Sequence, residues 1–231
     1  MKVVILAGGR GTRMGEETDI LPKPLIKIGG IPMIRHIMDY YAKWSIKDFV
    51  ILAGYKIEKL VEYFEKNDVE GWNIKILDTG EDTQTGQRLL EAEPLINGEA
   101  FMLTYGDGIG NVNVSNLQSR RTIGMVTAVH PPGRFGTLTF QEGTRYITRF
   151  DEKQRLETVW INGGFMGFSN DIFKWIEKDE MLEFDVLPRL AAHGELEANF
   201  HYGQWMCMDT PRDREALEKE WSYKRCFWRT K

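Results

Sequence analysis

The strongest constraint on the fold is the run KVVILAGGRGTRMGEETDILPKP, residues 2–24. Val3 to Ala7 is a short, wholly apolar stretch, the pattern of a strand buried on both faces. It leads directly into Gly8, Gly9 and Gly11, followed by Thr12, Arg13 and, further on, Lys23 between Pro22 and Pro24. Glycines allow backbone N–H groups to approach an anion and form a concave nest for phosphate oxygens. Arg13 carries a fork of donors suited to phosphate, and Lys23 a mobile point charge on stiffened backbone. The stretch therefore predicts a nucleoside triphosphate site, against the plainer alternative of a tight turn after a first strand. Neither GxxxxGK[ST] nor the GxGxxG spacing is present, since Met14 stands where the third glycine would fall.

Beyond this stretch, strand-like and helix-like segments alternate. Met33 to Ser45 has helical spacing, Phe49 to Ala53 is a second apolar run, Ile57 to Lys66 is helical again, and Trp72 to Leu77 is strand-like. The alternation predicts βαβ units, a parallel sheet and a ligand site beyond the carboxyl ends of its strands. Ala53-Gly54-Tyr55 follows the second run without the acidic residue that a dinucleotide dehydrogenase places on the ribose.

In residues 78–96 a helix is expected from about Gln84, with Thr83, Gln84 and Thr85 at its start. The two threonines read most simply as caps, whereas Arg88, one turn in, reads as a cation for a triphosphate. Ala100 to Tyr105 is a further buried strand ending in Gly106-Asp107-Gly108. There Asp107 is either placed to hold a divalent cation or part of an Asp-Gly turn. Gly124 to Val129 is the next strand. His130 to Phe140 breaks the alternation with Pro131, Pro132 and Gly133, and strands are expected around Leu138, around Tyr146 and over Trp160–Phe168. These read as a lid of mixed strands. Glu152 and Lys153 are either a solvated charge pair or site residues, with Lys153 on an acceptor's phosphate and Glu152 on hydroxyls. Gly163 and Gly164 mark a close approach of ligand or backbone. Ser169 is expected to cap a helix over Asn170–Lys178, Phe184 to Ala192 is a further helix, and the tail from Pro211 is a charged helix ending among Trp221, Phe227 and Trp228. Those aromatics either pack on the domain or cover a subunit contact.

A chain of 231 residues holds one large α/β domain or two small ones. Its net charge of −4, with acids and bases interleaved, gives no footprint for nucleic acid. It has no run of 18 apolar residues and no signal-peptide pattern, so no membrane partner is expected. Cys207 and Cys226 form no CxxC pair, and the four histidines are too scattered for a zinc site. Reduced thiols in a cytoplasmic protein are the expectation.

The string LAGGRGTR with PKP resembles the signature of the sugar-1-phosphate nucleotidyltransferases. Further strings resemble, over nearly the whole chain, the bacterial glucose-1-phosphate cytidylyltransferases. These are KDF with GYK, W-N-x-x-x-x-DTG, TYGDG at 104–108, PPGRFG at 131–136, INGGF at 161–165 and MDTPRD at 208–213. The resemblance implies a Rossmann-like, mostly parallel sheet flanked by helices, with a small mixed-strand lid. It implies a single transferase domain, divided into a nucleotide-binding half, 1–130, and an acceptor half with the terminal helix, 131–231. It implies transfer of a cytidylyl group from CTP to a sugar-1-phosphate, with Mg²⁺, in a homo-oligomer. CTP would lie on Leu6, Ala7, Gly8, Gly9, Gly11, Thr12 and Arg13, with Lys23, Thr83, Arg88 and Gly106. Asp107 and Asp209 would hold the metal, and Glu152, Lys153, Asn162 and Gly163 would meet the sugar phosphate. Catalysis would fall to Arg13, Lys23, Asp107 and Asp209. The chain departs from the family in a shorter segment before Trp72 and in Gln154, where proline is expected. The alternatives are the same chemistry with dTTP, UTP or another acceptor, and a nucleotide-sensing subunit that does not catalyse.

Overall fold

A computed structural model describes residues 1–133, 136–152, 159–223 and 226–229. In chain order the strands are β1 (Lys2–Leu6), the two-residue pair β2 (Lys27–Ile28) and β3 (Ile31–Pro32), β4 (Asp48–Ala53), β5 (Asn73–Asp78), β6 (Phe101–Tyr105), β7 (Gly108–Gly110), β8 (Gly124–Val129), β9 (Thr137–Phe140), β10 (Ile147–Asp151), β11 (Ile161–Phe168), β12 (Leu196–His201) and β13 (Trp205–Cys207). The helices are α1 (Met33–Ala42), α2 (Ile57–Lys66), α3 (Thr85–Glu91), α4 (Glu93–Ile96), α5 (Leu187–Ala192) and α6 (Pro211–Ser222).

Seven strands form one sheet in the order β12-β8-β11-β6-β1-β4-β5. Every neighbouring pair is parallel except those made by β11, which runs antiparallel to both β6 and β8. Strand alternation divides the core in two. Val3, Ile5, Phe49 and Ile51 face one side, with Ile34, Ile37 and Met38 of α1, Leu60 of α2 and Leu217 of α6. Val4, Leu6, Val50, Leu52 and Leu103 face the other, with Leu89 of α3, Ile96 of α4 and Leu190 of α5. Because β1 is covered on both faces it reads as an unbroken apolar run.

Several expectations are corrected. The strands after residue 131 divide: β11 and β12 complete the central sheet, whereas the β9–β10 hairpin and β13, paired with β7, stand apart from it. The first helix stops at Ala42, and Ser45 beyond it adopts a left-handed φ of 62°. Residues Asn170–Trp175 form a 3-10 turn, without a side-chain cap from Ser169. A π-helical turn at Leu182–Val186 precedes α5. The aromatic tail packs onto its own domain: Trp228 is buried, and the His36 ring lies edge-on to both Trp221 and Trp228.

Candidate active site

Two cavities meet at the carboxyl ends of β1 and β6. The first, of about 360 Å³, is bounded by Leu6–Gly9, Gly11, Arg13 and Lys23 on one side and by Thr83–Thr85, Arg88 and Tyr105–Asp107 on the other. Backbone fixes this shape. Gly11 is left-handed (φ 64°, ψ 29°), where a side chain would also crowd Lys23. A Cβ on Gly8 would fall 2.1 Å from the Arg88 guanidinium. The Gly106 N–H donates to the Leu6 carbonyl at 2.9 Å, tying the ends of β1 and β6 together. Thr12 does not line this cavity but a neighbouring cleft with Thr18 and Tyr55.

Arg88, expected as a cation for phosphate, lines the first cavity with its donors turned onto the protein itself. The guanidinium is buried and donates to the carbonyls of Ala53, Gly80, Gly8 and Glu81 and to the Thr79 hydroxyl, at 2.6–3.3 Å. Burial lowers its pKa. Its donors are committed to holding the glycine loop against the loops after β4 and β5, so Arg88 frames the cavity. Thr85 likewise makes no cap: its hydroxyl donates to Glu183 at 2.5 Å and accepts from the Leu182 N–H at 2.9 Å. The residue in the N-cap position of α3 is Gln84, and no side chain caps there.

Asp107 and Asp209 are brought together, as no spacing in the sequence could show. β7 and β13 pair so that Cys207 lies opposite Gly108, and the Met208 N–H donates to the Asp107 carbonyl at 2.8 Å. A capping box between Thr210 and Asp213 then starts α6, and the Asp213 carboxylate also accepts from the Asp209 N–H. The Lys23 ammonium bridges the two carboxylates, at 2.6 Å from Asp107 and 2.8 Å from Asp209, and Arg13 reaches Asp209 at 3.1 Å. Burial opposes the charge on Lys23, but the two carboxylates outweigh it and its pKa is raised. The neighbouring Cys207 thiol is pushed up to about 12 by burial and by the charges of Asp209 and Asp107.

The second cavity, of about 720 Å³, shares Tyr105 and Asp107 with the first and adds Pro131–Gly133, Asn162, Glu183, Trp205 and Asp209. A bulge in β11 shapes its floor, because the register with β8 shifts between Asn162 and Met166. Gly164 takes a φ of 77° there and donates to the Asn162 side chain at 2.9 Å. The Tyr105 ring lies where a Cβ of Gly164 would stand, and the Gly163 carbonyl accepts from the Trp205 indole at 2.7 Å. The close approach foreseen at these glycines is thus one of protein to protein. Asn162 lines this cavity. Glu152 follows the end of β10 beside Gly136 and is not among the described residues lining the cavity. Lys153 and Gln154 lie outside the described residues, as do Arg134 and Phe135 of PPGRFG. Tyr105 and Glu183 line the cavity without having been foreseen as site residues. TYGDG could have flagged Tyr105, but nothing in the sequence signals Glu183.

The chain matches the family model described as nucleotidyl transferase over residues 2–213. It belongs to the nucleotidyl transferase family. Relatives of this family at 38–39% identity include the glucose-1-phosphate cytidylyltransferase of Salmonella typhi, aligned over 100% of this chain and 99% of its own, and the probable glucose-1-phosphate cytidylyltransferase of Bacillus subtilis, over 99% of each. The Salmonella alignment spans 257 positions against 231 residues here, so that transferase carries segments this one lacks. Among solved structures, a putative glucose-1-phosphate thymidylyltransferase from Bacillus anthracis matches with a TM-score of 0.75 at 21% identity, over 98% of both chains. The inositol-1-phosphate CTP transferase of T. maritima matches at 0.72 and 18%, over 94% of this chain and 95% of its own. At these identities the structures show a shared fold: the nucleotide-diphospho-sugar transferase arrangement of a mostly parallel sheet between helices.

Proposed function

We propose that this nucleotidyltransferase moves a cytidylyl group from CTP to a sugar-1-phosphate, α-D-glucose 1-phosphate first among them, releasing pyrophosphate. The observation that carries the proposal is the shared wall: Asp107 borders both cavities, next to the Lys23 and Asp209 cluster. The names of the relatives at 38–39% identity support the choice of CTP and glucose 1-phosphate. The reading gives the nucleotide to residues 1–130 and the acceptor to residues 131–231, with Tyr105 and Asp107 contributing to both.

A phosphate oxygen of the sugar-1-phosphate attacks the α-phosphorus of CTP. The new P–O bond forms as the bond from the α-phosphorus to the bridging oxygen breaks, and pyrophosphate leaves with that electron pair. Such chemistry asks the protein for positioning and charge stabilisation. The glycine loop orients the triphosphate through its N–H groups, and Arg13 and Lys23 offset charge on the departing pyrophosphate. Two carboxylates already converging on one cation, the Lys23 ammonium, fit a divalent ion that takes one or two carboxylates together with substrate phosphates. Asp107 and Asp209 would hold it, and Mg²⁺ when bound supplies charge neutralisation at the reacting phosphates. Residues Leu138, Phe140, Ile147 and Phe150, exposed on the β9–β10 hairpin, support a homo-oligomer, which light scattering would check. The free thiols of Cys207 and Cys226 support a cytoplasmic setting.

The test is pyrophosphate release with Mg²⁺ and glucose 1-phosphate, supplying CTP, UTP, dTTP, ATP and GTP separately. Release with CTP alone is expected. Release with another nucleotide would reassign the base, and silence with all five would overturn the acceptor or the activity itself. Arg13→Ala should lower turnover by about two orders of magnitude with the fold intact.

A further inference from the structure

The Glu183 carboxylate is the meeting point of two hydrogen-bond chains, one from each cavity. From the first, the Leu182 N–H donates to the Thr85 hydroxyl, which donates to Glu183 Oε2 at 2.5 Å. From the second, the Asn162 amide lies 3.5 Å from the Tyr105 hydroxyl, which donates to Glu183 Oε1 at 2.7 Å. A carboxylate has no proton to give, so it fixes the direction of both chains: each hydroxyl must turn its hydrogen toward Glu183. The Tyr105 oxygen thereby offers only lone pairs to Asn162 and to the acceptor cavity. Its proton is held there firmly, since burial first and the Glu183 charge second raise the phenol pKa.

The two arms reach separate elements. Thr85 is the first residue of α3 and lines the nucleotide cavity. Tyr105 ends β6 beside Gly106 and Asp107, and Asn162 stands at the β11 bulge. Packing alone would not require an anion at this point, because both partners are neutral hydroxyls. An anion is required if the polarity of both hydroxyls must be set together.

Building on the function proposed above, we infer that Glu183 is a positioning residue that couples the cavities, so that a nucleotide against Thr85 orders Tyr105 and Asn162 for the acceptor. A link of this kind appears as mutual enhancement of two binding events. Glu183→Gln keeps the shape but replaces one acceptor oxygen with a donor, which breaks one arm.

The experiment is calorimetric titration with a non-reacting α,β-methylene analogue of CTP, with and without glucose 1-phosphate, repeated with the analogues of UTP and dTTP. The wild-type protein should bind the nucleotide about fivefold or more tightly when the acceptor is present. Glu183→Gln should bring that ratio to within about twofold of unity while nucleotide affinity alone changes little, and Thr85→Val should add nothing further in a double-mutant cycle. In turnover, Glu183→Gln should raise the acceptor KM more than it lowers kcat. A wild-type protein that binds an analogue without coupling, or a Glu183→Gln variant that keeps wild-type coupling, would overturn the inference alone. Equal loss of both affinities together with a lowered melting temperature would also overturn it, reducing the contact to packing. Failure of the wild-type protein to bind any of the analogues would overturn the proposed function, and the coupling with it.

Discussion

The two cavities are built by different means. The first is framed by backbone: a left-handed glycine, loops without side chains at critical points, and an arginine whose donors are almost all spent on carbonyls. The second is framed by side chains drawn from β6, β11, the π-helical turn and β13, over a bulge. A backbone frame presents the same N–H groups whatever small residue is exchanged nearby, which suits a triphosphate common to many reactions. A side-chain frame can be retuned residue by residue, which suits an acceptor that varies.

Substitutions can break or sharpen that contrast. The largest effect is expected where the cavities join. Asp107→Asn should lower kcat by about 10³-fold, some 4 kcal/mol of transition-state stabilisation, while the melting curve stays close to wild type. Full activity in magnesium would remove the shared carboxylate from the chemistry. Next, Arg88→Ala should cost roughly 3 kcal/mol of stability in urea unfolding, because it strands several buried carbonyls at once. A loss of nucleotide affinity with stability unchanged would restore Arg88 as a direct ligand. Asn162→Ala should raise the acceptor KM by about tenfold and leave CTP affinity within about twofold, as the loss of one or two hydrogen bonds would. Equal effects on both ligands would erase the distinction between the cavities. Smallest of all, Arg10→Ala should leave the melting temperature unmoved, since the ion pairs of Arg10 with Glu81 and Asp82 are exposed. A clear drop would show the loop ahead of α3 to be held from outside.

The same contrast decides what could be read from the residues alone. The frame of the first cavity is local in sequence: an apolar run, three glycines and a proline-flanked lysine lie within 24 residues, and each has a conformational meaning of its own. The parallel strands β1, β4 and β6 were legible for a similar reason, being continuous apolar runs closed by glycine. The carbonyl partners of Arg88 were not legible, because a cation near a glycine loop looks the same in sequence whether it meets phosphates or carbonyls. The second cavity was mostly illegible. Glu183 meets Tyr105 across 78 residues and Thr85 across 98, through a turn whose π-helical geometry has no pattern of its own. The antiparallel setting of β11 was hidden too, since an apolar strand reads the same in either direction.

The placement of β11 also bears on how the chain is made. Among the strands of the central sheet β8 is the next in sequence after β6, yet the two lie with an empty lane between them until β11 enters it. A chain emerging from the ribosome therefore completes residue 129 with one edge of β6 and both edges of β8 unpaired; β11 fills the lane once residues 161–168 have cleared the exit tunnel, and β12 covers the outer edge of β8 later still. Unpaired apolar edges recruit other chains. For this protein the hazardous interval of synthesis runs from the emergence of β8 to that of β11, and halting the chain there should send more of the product into aggregates than halting it after β12 has emerged.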